Sequence, residues 1–165
     1  MMAAALSLVG PIAAGNAAEP GDPSGPAAAP ATAPRIESAL LAEMNRARVE
    51  RGRRPLRTIA TLQRPARGQS GYLLGIGTLD HDGSDGSPFW TRLIAAGFPR
   101  GRALGENLAM VPGCGTEVAA RTVQMWLNSP GHRANLLNPA FRWAGAGAAI
   151  GAGCSETILT ADYGS

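Results

Sequence analysis

A chain of 165 residues with fifteen arginines, no lysine and twelve acids carries a formal charge of +3; it is long enough for one domain with a proper core and too short for two. Two cysteines are too few for a thiolate metal cage. Met1 to Ala18, "MMAAALSLVGPIAAGNAA", is apolar and ends in small residues. It reads as a signal peptide cleaved near Ala17 or Ala18, because Pro11 and the short run argue against a membrane span of about 20 residues. The expected product is secreted or held in the cell envelope, with no transmembrane span once mature. Glu19 to Pro34, rich in Pro, Ala and Gly, has nothing to bury and is expected as a disordered, extended linker. The folded unit is expected over 35–165, where fifteen arginines face ten acids, a formal +5.

Apolar residues at Ile36, Leu40, Met44 and Ala47 predict a helix from Ile36 to Arg51, closed by Gly52. Eight arginines lie between Arg46 and Arg67 with no aromatic between them. A solvated face partly paired by Glu43 and Glu50 is therefore favoured over a nucleic-acid patch, and no specific nucleic-acid binding is expected. Leu62 to Leu74 repeats the helical stripe more weakly, since Gly68 and Gly71 lower its propensity and Pro65 is tolerable only in a first turn. Gly75 to Gly86 is turn-rich and reads as loop. Ser87-Pro88 opens a helix that runs to Ala96 and stops at Gly97.

Thr116 and Glu117 start a helix over Val118–Leu127, and Ser129-Pro130 starts a short successor through Leu137. Trp143–Ile150 and Thr157–Tyr163 read as strands joined by a Gly-rich turn. Helices first and strands last predict an α+β domain, or a helix-flanked sheet. Cys114 and Cys154, both in Gly-rich loops, are expected to pair in an oxidising compartment.

Three separated segments offer chemistry: "LDHDG" with His81, "LGENLA" with Glu106 and Asn107, and "SPGHRANLL" with His132. Two histidines and a carboxylate suffice for an open zinc site or for acid–base work. In the first turn of its helix, His132 meets the positive end of the dipole, which favours a neutral ring. Asp80, Asp82 and Asp85 around His81 are expected to raise its pKa and to orient its ring. Each residue also has a bland reading: a capped helix start for His132, a solvated acidic loop for His81, a carboxylate satisfied by its own turn for Glu106.

In order the chain reads "NRAR", "GRRPL", an "H" followed by "DGSP" and "RLIAAGF", then "GENLA", "MWLNSPGHRANLL", a G-x-G strand and "TADYG". This series resembles the CAP superfamily of cysteine-rich secretory, antigen 5 and pathogenesis-related proteins, in its bacterial SCP-domain branch. The resemblance implies a three-layer α-β-α sandwich with a central antiparallel sheet and a cleft. In the family that cleft carries two histidines and two acids, and several members hold zinc or another divalent cation there. His81 matches the first histidine, Glu106 the acid of "GEN", and His132 the second histidine, with Asn107, Ser129 and Asn135 as cleft-supporting residues. The second family acid usually follows the tryptophan of the preceding helix. Here Leu127, Asn128 and Ser129 follow Trp126, so that acid is missing and Ser129 or a water is its stand-in.

Three functions fit. The first is a secreted, monomeric binding module whose cleft takes a divalent cation and a small, lipid-like or cell-wall ligand. The second is a structural envelope protein with a vestigial cleft. The third is a zinc-dependent hydrolase in which His81 and His132 hold the metal and Glu106 is the catalytic general base.

Overall fold

The computed structural model describes residues 32–165. The expected signal peptide, and the linker up to residue 31, lie outside the described residues. From there the chain forms α1 (Ala33–Val49), β1 (Arg57–Thr58), α2 (Ala60–Ile76), α3 (Phe89–Ala95), β2 (Leu104–Pro112), α4 (Glu117–Asn128), α5 (Pro130–Leu136), β3 (Trp143–Ile150) and β4 (Glu156–Gly164). The strands form one sheet in the order β1-β3-β4-β2. Its pairings are antiparallel except for the short parallel contact of β1 with β3. The α-β-α sandwich is thus present, but the helices do not precede the strands. Both β1 and β2 fall between helices, and neither is predicted from the sequence. No helix among the described residues is long and apolar enough to cross a membrane.

Strand alternation assigns the two faces. Ala109 and Val111 of β2, Ala144, Ala146 and Ala148 of β3, and Leu159, Ala161 and Tyr163 of β4 meet Ile36, Leu40, Met44, Val118, Val123 and Trp126 in one continuous core. Full burial of each such large side chain contributes about 1.5–3 kcal/mol. The opposite face carries two smaller clusters, Leu62 with Leu93 and Phe98, and Leu73 with Leu108 and Ile158.

The second helix is stronger than its composition predicts. It runs unbroken for 17 residues with Pro65 beyond its first turn, and it ends on Gly77 in the left-handed conformation at φ 69°. Packing explains this. A Cβ at Gly145 or Gly147 of β3 would collide with the backbone of Leu62 or Ala66, so these bare positions let α2 lie directly on the sheet. Tertiary contact of that kind outweighs weak propensity.

Arg46 pairs with Glu43 and Glu50, and Arg51 with Glu50, as expected of a solvated face. Arg48 departs from that expectation. It is fully buried, and its guanidinium donates to the carbonyls of Arg54, Leu136, Asn138 and Phe141 at 2.7–3.3 Å, clamping α1 to the end of α5 and the approach to β3. Cys114 and Cys154 form the expected disulfide, with Cα atoms 5.1 Å apart and 40 residues of separation. Closing a loop of that length stabilises the fold by about 4 kcal/mol on the chain-entropy account.

Candidate functional site

β2 is the outer strand of the sheet, so alternate carbonyls along it point away from β4. Two of them find side chains: Asn135 Nδ2 donates to Glu106 O at 3.0 Å, and Trp126 Nε1 donates to Leu108 O at 2.9 Å. Asn107, wholly buried, donates to His132 O at 2.9 Å and to the Tyr163 hydroxyl at 3.2 Å, and accepts from Asn135 at 3.1 Å. These bonds fasten α5, and with it His132, to the strand that carries Glu106. Ser129 precedes α5 and its side chain makes no cap bond, while its carbonyl accepts from Arg133 N–H at 2.8 Å.

His81 reaches the same strand from the other face. Its loop is held by three consecutive carbonyls: Gln69 Nε2 donates to Asp80 O and Asp82 O at 2.8 and 3.2 Å, and Arg92 Nη1 donates to His81 O at 2.9 Å. The acids expected to orient the ring instead fold the loop, Asp80 accepting from Asp82 N–H and Asp85 from Ser87 N–H. The ring is oriented by Glu106, whose Oε1 lies 2.7 Å from His81 Nδ1. A carboxylate paired with a guanidinium is an acceptor, so Nδ1 carries the proton and the other ring nitrogen keeps its lone pair.

The electrostatics also differ from the sequence expectation. Burial, and then the charge of Arg92, lower the pKa of His81 and outweigh the opposing pull of Asp80, Asp82 and Asp162. Burial, and then the nearby His81, lower that of His132. Both imidazoles are therefore neutral near pH 7. His81 remains half-exposed, with 53% of its side chain accessible, and the His132 ring packs 6.5 Å from that of Trp126.

Two residues that the sequence reading did not single out complete the cluster. Arg92 of α3 pairs with Glu106 Oε2 and lies 4.0 Å from Asp162 of β4. Asp162 is the strand partner of Glu106 and is wholly buried; neither of its carboxylate oxygens has a hydrogen-bond partner among the described residues. Burial pushes its pKa up to about 7 against the opposing charges of Arg92 and His81. Asp162 is thus a second acid near Glu106, buried in the adjacent strand. A charged residue inside the apolar stretch "TILTADYG" was the available signal.

The donor set limits what the cluster can hold. Among the described residues no three His, Cys, Asp or Glu side chains stand close enough to share an ion. Glu106 is committed to His81 and Arg92, and Arg92 places positive charge beside both acids. That leaves two imidazoles, one fewer protein ligand than catalytic zinc sites use.

The model of the cysteine-rich secretory protein family matches residues 41–163. The Bacillus subtilis (strain 168) protein YkwD, described as uncharacterized, is 33% identical over 120 residues; the match spans 72% of this chain and 44% of that relative, less than half its length. An outer surface protein of Borrelia burgdorferi shares the fold with a TM-score of 0.66 at 22% identity, covering 78% of this chain and 91% of the other. An extracellular SCP-domain protein from Bacillus anthracis str. Ames gives a TM-score of 0.65 at 25% identity, over 79% of this chain and 40% of the other. Since the family match begins in the first helix and closes on the strand carrying Asp162, it takes in every element that builds the site, and the chain belongs to the cysteine-rich secretory protein, or CAP, family.

Proposed function

We propose that the chain acts outside the cytoplasm as a binding module, its ligand centred on the two neutral imidazoles beside β2. The extracellular and outer-surface descriptions of its structural relatives support the location. The commitment of Glu106 carries the choice of binding over hydrolysis. Both its oxygens are engaged, one by His81 and one by Arg92, and its side chain is fully buried. A general base needs to reach the water it activates; this carboxylate instead fixes the ring that faces the ligand. His81 and His132 would hold a divalent cation as two nitrogen donors, with ligand atoms or water completing its coordination.

Zinc titration by calorimetry tests this reading on the wild type and on His81→Ala and His132→Ala. The expected result is one site, weakened tenfold or more by either substitution. Equal weak binding by all three proteins rejects a shared centre.

A further inference from the structure

We propose a second binding site on this chain, a trough between α3 and the start of β3 that takes an acidic polysaccharide. Two neighbouring cavities of about 430 and 560 Å³ share Pro99 and Arg102. The first has an apolar floor of Phe89, Trp90, Ile94 and Leu104, with Arg100 and Arg102 at its rim. The second continues past Arg102 to Arg142 and Trp143. No Asp or Glu side chain lines either cavity.

The charges here are free. The side chains of Arg100, Arg102 and Arg142 are solvent-exposed, and none forms an ion pair or hydrogen bond among the described residues. Arg46, Arg51, Arg67 and Arg92 pair with acids, whereas Arg35, Arg53, Arg54 and Arg133 are as free as these three but line neither cavity. A guanidinium matches carboxylate, sulfate or phosphate with paired donors. Trp90, 48% exposed on the apolar floor, supplies a flat surface between those charges for the C–H faces of a sugar ring.

The arrangement selects among polyanions. Single-stranded nucleic acid uses successive open aromatic platforms. One face of Trp143 is covered by the Arg57 guanidinium, 5.2 Å from its ring centre, so Trp90 is the more open of the trough's two indoles. A bilayer meets protruding surfaces, whereas these residues line a concavity. A linear chain with an acid group on successive sugars fits both the run of arginines and the Trp90 platform. The Phe89 ring lies 6.5 Å from the His81 ring, so the trough abuts the histidine cleft while sharing neither histidine.

Fluorescence anisotropy with a labelled galacturonate decasaccharide tests the proposal on the full chain. The wild type is expected to bind it, more weakly as salt rises. Arg100→Gln/Arg102→Gln/Arg142→Gln is expected to lose at least tenfold in affinity and Trp90→Ala about threefold. The charge-matched Arg35→Gln/Arg53→Gln/Arg54→Gln, and His81→Ala and His132→Ala, stay within twofold of wild type, which separates this site from the histidine centre. The proposal is overturned by absence of binding at low salt, by equal losses in the two arginine triples, or by equal binding of a neutral dextran of the same length. Tighter binding of an oligothymidylate or of phosphatidylglycerol vesicles, abolished by the same triple, also overturns it by assigning the trough to another class of ligand.

Discussion

On the face covered by α1, α4 and α5, the sheet buries one continuous apolar core, and the one arginine sealed into that side, Arg48, meets four carbonyl oxygens. The face covered by α2 and α3 has two small clusters instead, and beside them Glu106, Arg92 and Asp162 sit in or near the interior with two carboxylates to one guanidinium. On the first face Arg48 is satisfied by neutral backbone dipoles. The second leaves Asp162 without a hydrogen bond. Polar groups that a pure packing problem would exclude gather where His81 is held, as expected when a fold gives up local consistency for a site.

Breaking the charged face should cost the most. Arg92→Met leaves the buried Glu106 carboxylate without its guanidinium and is expected to destabilise by about 3–5 kcal/mol. Arg48→Met strands only carbonyls and is expected to cost roughly 1–3 kcal/mol. Urea unfolding of both variants at pH 8 checks the order, and a larger loss from Arg48→Met would reverse the contrast between the faces.

The next effect sharpens the role of Asp162. Its folded-state pKa, about 7, lies above the ordinary 3.8, so the native state holds a proton that the unfolded chain releases. The stabilisation this gives is complete below about pH 4 and is lost as pH rises toward 7. Asp162→Asn removes that loss, so the variant should gain on wild type between pH 4.5 and 8, by about 3 kcal/mol. A stability difference that is flat over this range would mean that Asp162 is ionised throughout.

The smallest effect concerns the helix over the charged face. Gly71 of α2 has open space where a Cβ would stand, so Gly71→Ala should stabilise by about 0.5–1 kcal/mol, read as a rise in Tm. A loss would show that α2 needs its glycines for something other than packing.

These contrasts also mark what the sequence could tell. α1 and α4 follow from their apolar stripes, α5 from Ser129-Pro130 at its start, and β3 and β4 from short runs, buried on both faces, that flank a Gly-rich turn. β2 escaped because Gly105, Glu106 and Asn107 break the alternation of a strand, and they break it to build the site. Arg48 escaped because the carbonyls that justify its burial include three lying 88–93 residues away. Asp162 escaped for the same reason, its relevance depending on a strand partner, Glu106, in a strand not predicted. His81, Glu106 and His132 became candidates through the ordered family motifs, where spacing alone left them undecided; the fold joins His81 to Glu106 directly.

The side chains of Asn135 and Trp126 do more than hold α5 and α4 against the sheet. An outer strand with free carbonyls is a template on which another chain can add a strand, the usual route to edge-to-edge aggregation. Asn135 and Trp126 occupy two such acceptors of β2, at Glu106 and Leu108. The contacts that hold α4 and α5 against β2 thus also occupy two acceptors on which the sheet could otherwise grow.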